Sequence, residues 1–329
     1  MRQRQVHILT VGALLSSVNP LTDYPGSGRI PPMGASFQEF ADGFSNRLSS
    51  CQKEAKIPVT DDFTIKLTAP VNLRDLGGLP VADGVIADGF ALRSDDLATI
   101  TADAAEQLVE AGMRNVIDLR SKDEVFITGR GPLLDHAVRY HHIPLLGSVR
   151  EAAGYTGPEA AAVAAAATAA NVSDAPPMST LYIRMVERSP EALVSALAVL
   201  AHAEGASAFH CAAGKDRTGI LAAVLLLVLG ADDETIIEDY RRTYENLADI
   251  TERTGAYMSQ VMARAGFDMS ALRARADADQ ERQRSEQAMA DTLRSLREKY
   301  SDPLLPLRQA GLTLALEAAL RERGIVASP

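Results

Sequence analysis

From about residue 63 onward the chain alternates between short apolar runs of strand length and longer stretches with helical spacing. Residues 63–67 (Phe-Thr-Ile-Lys-Leu) alternate apolar and polar positions with a period of two and predict a short strand. Residues 72–78 end in two glycines that mark a turn. Further strands are predicted over 89–93, 115–119 and 138–143, with a helix over 102–111 that Thr101 would cap. Helices follow at 179–187 and 191–202, the second just after Pro190, a residue suited to a first turn. Residues 206–210 predict a short buried strand, and an apolar helix runs from the loop behind it to Leu229, where Gly230 stops it. Beyond this point 233–246, 251–264, a charged stretch over 271–300, and 312–323 all read as helical. Strands separated by helices predict an α/β domain, with a mostly parallel central sheet flanked by helices and a helical C-terminal or lid region. No repeat period is present.

Two segments break this pattern. Residues 1–60 are rich in Gly, Pro, Ser and Asn and read as an extended or partly disordered leader before a catalytic domain over 61–325. Residues 151–178 hold an alanine tract with almost nothing bulky to bury, which predicts an inserted surface helix or a lid. Arg2 and Arg4 precede a modest apolar stretch at 6–18, but His7, Thr10, Ser16 and Ser17 interrupt it and no small-residue cleavage site follows. A cytoplasmic location is the expectation, with export the alternative. The longest apolar run, 220–229, is too short to cross a bilayer, so no stable membrane insertion is expected.

Composition narrows the function classes. Among 329 residues the formal net charge is -10, there is no tryptophan and aromatic content is 5%, which argues against nucleic acid as a partner. An acidic protein can still bind phosphate where positive potential is focused in one pocket. Two cysteines, Cys51 and Cys211, do not make a disulfide framework. The six histidines lack ligand spacing, so no metal and no other cofactor is expected.

The chemistry concentrates in His210-Cys211-Ala212-Ala213-Gly214-Lys215-Asp216-Arg217-Thr218-Gly219. A cysteine and an arginine stand at the two ends of a loop joining a buried strand to a helix. Five intervening residues let the backbone curl with its amides inward, and the helix N-terminus adds its positive end. Gly214 tolerates the backbone angles such a loop needs. Loop amides, helix dipole and Arg217 all favour the Cys211 thiolate, a nucleophile able to attack phosphorus. Arg217 offers a planar fork for two phosphoryl oxygens, so substrate phosphate is expected on Ala212, Ala213, Gly214, Lys215, Asp216, Arg217 and Thr218. The Thr218 hydroxyl can donate to the departing sulfur, and His210 is expected to support the loop.

At these residues the chain resembles the cysteine-dependent protein tyrosine phosphatase superfamily, and within it a bacterial group with an HCxAGKDRTG loop. NLRDLGG at 72–78, ALRS at 91–94, VIDLRS at 116–121, DYRRTYEN at 239–246 and KYSDPLLPLRQAGLT at 299–313 fit the same group. The resemblance implies a phosphocysteine intermediate, no metal and a helical lid. It also implies activity on phosphotyrosine, in some members on phosphoserine, phosphothreonine and phosphoinositides, so a phosphorylated protein or phosphoinositide is the expected partner. Lys215 either adds charge for substrates with several phosphates or only shields the loop. Many members carry a general-acid aspartate after an earlier strand, and residues 143–148 have none, with Glu151 the nearest carboxylate. Asp216 is therefore assigned the acid role, with a purely structural role as the alternative. Arg120 and Glu124 are expected to form an ion pair near the loop, and Arg74 and Asp75 to brace the first turn. A weakly catalytic phosphate-binding module and a rhodanese-like sulfurtransferase are the competing readings, the second disfavoured by Arg217.

Overall fold

A computed structural model describes residues 56–58, 64–146, 177–264 and 278–328, all within the larger of the chain's two units, Ala35–Pro329. The leader apart from 56–58, Cys51, Glu151 and nearly all of the alanine-rich segment lie outside the described residues.

The strands are β1 (Lys56–Pro58), β2 (Thr64–Lys66), β3 (Arg74–Asp75), β4 (Pro80–Val81), β5 (Gly84–Ile86), β6 (Leu92–Ser94), β7 (Met113–Asp118), β8 (Arg139–His142), β9 (Ala206–His210) and β10 (Ile325–Val326). Five of them form the main sheet in the order β3-β6-β9-β7-β8. β6, β9, β7 and β8 run parallel, and β3 pairs antiparallel with β6 at one edge. This is the mostly parallel α/β architecture that the apolar pattern predicts. Registers align Ser94 and Asp118 with His210, so the chain leaves β6, β9 and β7 side by side along one edge of the sheet. Ligands bind outside the carboxyl ends of such strands. A small antiparallel sheet, β10-β5-β4, ties the last strand to the turn after β3, and β1, at the end of the segment read as a leader, pairs with β2 at the start of the expected catalytic domain.

The period-two alternation of β9 divides the core. Ala206 and Ala208 face a cluster with Leu92, Leu108 and Val116, while Phe209 and Cys211 face the larger helical side. On the first side packs α1 (Ala102–Glu110), capped by Thr101, whose side chain accepts from the Ala104 amide. On the second, α3 (Met178–Arg188), α4 (Pro190–His202) and α5 (Asp216–Leu229) contribute most of the apolar core, with α8 (Ala278–Tyr300) and α10 (Leu314–Gly324) around them. Helix α5 is apolar on nearly every face, which suits a helix enclosed by others, and Gly230 ends it in the left-handed conformation.

Four elements depart from the sequence pattern. The strand expected at 89–93 begins at Leu92, because the chain turns at Gly89, whose amide donates to Asp75 (2.6 Å). The helix expected over 233–246 is α6 (Asp233–Arg241) followed by a 3-10 turn (Arg242–Asn246), and α7 (Leu247–Arg264) starts earlier than expected. Helix α2 (Lys122–Thr128) was not anticipated. The short α9 (Leu305–Gln309) links α8 to α10, and no helix among the described residues is long and apolar enough to cross a membrane.

Candidate active site

Strand β9 ends at His210, and residues 211–215 turn into α5, which starts at Asp216. Cys211 is therefore the first residue past the central strand, 2% exposed. Gly214 has φ +66°, and a Cβ there would lie 2.5 Å from the Ser94 carbonyl oxygen and 2.7 Å from the Asp95 amide nitrogen. The loop thus passes over the end of β6 at a distance only glycine permits.

The loop carbonyls are tied outward. The Asp96 amide donates to Ala212 O (3.0 Å), Asn72 Nδ2 to Ala213 O (3.3 Å), and the Arg93 guanidinium to Gly214 O (2.9 Å). In a planar trans peptide the amide points opposite to its carbonyl, so the Ala213, Gly214 and Lys215 amides turn the other way. That arrangement can hold an anion at the start of a helix.

Arg217, in the first turn of α5, gives two hydrogen bonds to Glu124 at 2.5 and 2.7 Å. Glu124 is 1% exposed and is fixed by a capping box: its amide donates to Ser121 Oγ and its carboxylate accepts from the Ser121 amide (2.7 Å). Burial opposes both charges, but each outweighs that for the other: Glu124 is held below the usual carboxylate range and Arg217 is held charged, with Cys211 helping. The expected Arg120–Glu124 pair does not form. Arg120 is fully buried and turns back to Asp118 (2.6 Å) and Asp96 (3.1 Å), the carboxylates beside the ends of β7 and β6.

Arg74 likewise reaches beyond its own turn. It donates to Asn72 Oδ1 (2.6 Å), but its charge is met by Asp239 on α6 (2.9 Å), which also pairs with Arg93. Burial would raise Asp239, and the two arginines outweigh it, holding Asp239 at about 2. Asp75 does brace the turn, accepting from the amides of Gly77 (2.9 Å) and Gly89. His210 Nδ1 lies 3.3 Å from the Leu97 amide and 3.1 Å from the Cys211 carbonyl, and burial lowers its basicity.

A pocket of about 290 Å³ opens over the loop. Cys211, Ala212, Ala213, Asp216, Arg217, Ser121 and Glu124 form its polar end, and Leu146, Leu181, Met185, Met258 and Met262 its apolar walls. Gly214 and Lys215 do not line it, and Lys215 Nζ sits 3.7 Å from Asp216 and 5.8 Å over the Tyr244 ring. Thr218 Oγ1 is buried with no hydrogen-bond partner. Asp216 accepts from Tyr182 (2.5 Å), whose hydroxyl lies 2.6 Å from that of Tyr240, itself 3.0 Å from that of Tyr244. None of these tyrosines is among the expected site residues, and Glu124, expected near the loop, pairs with Arg217 instead of Arg120. The Ser121-x-x-Glu124 capping signature was the available signal for the carboxylate. Among the described residues no three His, Cys, Asp or Glu side chains gather as a metal site.

A parallel sheet whose central strand delivers a cysteine into an inward-amide loop, with an anchored arginine beside it, defines an α/β protein built around an anion pocket. A model of the tyrosine phosphatase family matches residues 65–325, and the chain belongs to that family. It is 29% identical over 160 residues to a tyrosine-protein phosphatase of Nostoc commune, covering 48% of this chain and 49% of that one. It is 27% identical over 197 residues to the triple specificity protein phosphatase PtpB of Mycobacterium tuberculosis, covering 55% and 70%. A Cupriavidus necator protein named as a tyrosine-protein phosphatase is 32% identical over 197 residues, covering 57% and 65%. The chain therefore spans between half and 70% of the length of these relatives.

Proposed function

We propose that the protein hydrolyses phosphotyrosine and related aryl phosphate monoesters through a phosphocysteine on Cys211. The observation that carries this reading is that Cys211, Arg217 and Asp216 line one pocket at the carboxyl edge of the sheet. Arg217 and the loop amides bind the phosphoryl oxygens and hold them through the transition state. The Cys211 thiolate attacks phosphorus, the phosphorus–oxygen bond breaks, and Asp216 gives its proton to the leaving oxygen. Water then attacks the phosphocysteine and passes a proton to the Asp216 carboxylate. The phosphorus–sulfur bond breaks with Thr218 donating to the departing sulfur. The apolar walls suit a flat aromatic ring, and Arg217 is the lining cation among the described residues, which favours an aryl ester over a polyanionic headgroup.

The test is phosphate release from a phosphotyrosine peptide, p-nitrophenyl phosphate and phosphoinositide vesicles, with Cys211→Ser and Asp216→Asn beside the wild type. Turnover by the wild type, its abolition in Cys211→Ser and a preference for the peptide are expected. Asp216→Asn should lose about a hundredfold or more on poor leaving groups. A wild type that binds phosphopeptide without releasing phosphate under reducing conditions would leave a binding module in place of an enzyme. Faster release from vesicles than from peptide would shift the substrate to lipid.

A further inference from the structure

Asp216 is the first residue of α5, and its side chain, 30% exposed, has two rotatable bonds with which to leave the pocket. Its neighbour Lys215 lies 3.7 Å away, and the hydrogen bond that restrains it comes from elsewhere in the fold. Tyr182 on α3 is 0% exposed and donates its single O–H to Asp216 Oδ1 at 2.5 Å. With that proton committed, the 2.6 Å contact between Tyr182 and Tyr240 requires Tyr240 to donate, and the Tyr244 hydroxyl lies 3.0 Å beyond it, within reach to donate to Tyr240. The Tyr182 and Tyr240 hydroxyls then donate in succession toward Asp216, and each bond polarises the next.

The rings are fixed as firmly as the hydroxyls. Tyr182 meets Tyr240 edge to face, with centroids 6.0 Å apart at 77°, and Tyr240 meets Tyr244 at 5.8 Å and 71°. Gly219, which closes the loop motif, makes room for this stack: a Cβ there would lie 3.1 Å from Tyr240 Cδ2. Burial first, and then the negative charge of Asp216, push the Tyr182 and Tyr240 phenols well above their usual range. They therefore serve as fixed donors.

We propose that the Tyr182–Tyr240–Tyr244 hydroxyl ladder holds the Asp216 carboxyl in the pocket, with Tyr182 as a positioning residue for it. The ladder rests on the reading of Asp216 as the proton donor only for its kinetic consequence, since the restraint itself can be observed separately.

The experiment compares Tyr182→Phe, Asp216→Asn and the double variant on p-nitrophenyl phosphate, a good leaving group, and phenyl phosphate, a poor one. It also records the carbon-13 carboxyl resonance of Asp216 in wild type and Tyr182→Phe. Losing a hydrogen bond to the protonated carboxyl should cost Tyr182→Phe about fivefold to tenfold in kcat on phenyl phosphate. Loss on p-nitrophenyl phosphate should stay within about threefold. The double variant should be no slower than Asp216→Asn, and the carboxyl resonance should move. Tyr240→Phe, one bond removed, should give a smaller loss in the same direction. Equal losses on both esters, or a full loss persisting in the Asp216→Asn background, would overturn the ladder. If Asp216→Asn itself shows no leaving-group dependence, the proton-donor reading fails, and the resonance alone decides: unmoved in Tyr182→Phe, it overturns the ladder as well, while a shift upholds the restraint.

Discussion

Replacing Glu124 by glutamine removes the charge that anchors Arg217 while keeping the volume of the side chain. Arg217 makes two hydrogen bonds to a carboxylate that is 1% exposed, whereas its own side chain is 15% exposed. A hydrogen bond to a charged group contributes about 1.5–3 kcal/mol, and stranding one member of a buried pair costs about 3–5 kcal/mol. Water reaches the open side of Arg217 and offsets part of this, leaving about 2–3 kcal/mol of lost stability. For a domain of this size that lowers Tm by about 5–10 °C. The kinetic effect is larger, because a guanidinium free to swing no longer meets the phosphoryl oxygens in line, and a misplacement of about 1 Å can cost a hundredfold. Losing the carboxylate also strengthens the pull of Arg217 on an anion, so KM should not rise and the loss should fall on kcat. Steady-state kinetics on a phosphotyrosine peptide, with thermal melts of both proteins, measure all three quantities. A wild-type kcat in Glu124→Gln, or a change confined to KM, would refute the anchoring role.

Gly214→Ala should fold but lose at least about a hundredfold in kcat/KM, because its Cβ would meet the Ser94 carbonyl and Asp95 amide at 2.5 and 2.7 Å and neither backbone atom can move aside. Phosphate release within twofold of wild type would contradict the close passage of the loop over β6. Asp75 is 2% exposed, and burial outweighs its two amide hydrogen bonds to push it up to about 6 from 3.8. The folded state therefore holds this proton more tightly, and its contribution of about 3 kcal/mol is present below pH 4 and lost as pH rises through 6. Urea unfolding of wild type and Asp75→Asn from pH 4 to 7 should show the difference between the two narrowing or reversing over that window, and parallel curves would refute the shift.

What could be read in advance was what the chain writes locally. The strand, loop and helix of 206–229 are contiguous, and their signals (a short buried strand, Gly214, an apolar helix stopped by Gly230) need no partner from elsewhere. Thr101 and Pro190 mark helix starts for the same reason. The rigidity of the site comes instead from pairs distant in sequence: Arg74 and Asp239 are 165 residues apart, Arg93 and Asp239 are 146 apart, and Glu124 and Arg217 are 93 apart. The misassigned pair shows how local reasoning fails. Arg120 and Glu124 have the spacing of neighbours on a helix, but α2 begins at Lys122 and Arg120 precedes the cap, so that geometry never arises. Tyr240 and Tyr244 are visible as a four-residue spacing, yet their purpose depends on Tyr182, 58 residues before Tyr240 and on another helix. The net charge of -10 conceals the same point. Around the loop five arginines (Arg74, Arg93, Arg120, Arg217 and Arg253) each face a carboxylate, and four of them are buried. Bulk charge therefore argues against a nucleic-acid surface, while the potential at the pocket depends on where each buried pair is placed. Arg217 is the member of that set with an open side, which leaves it able to keep its carboxylate and still meet an incoming anion.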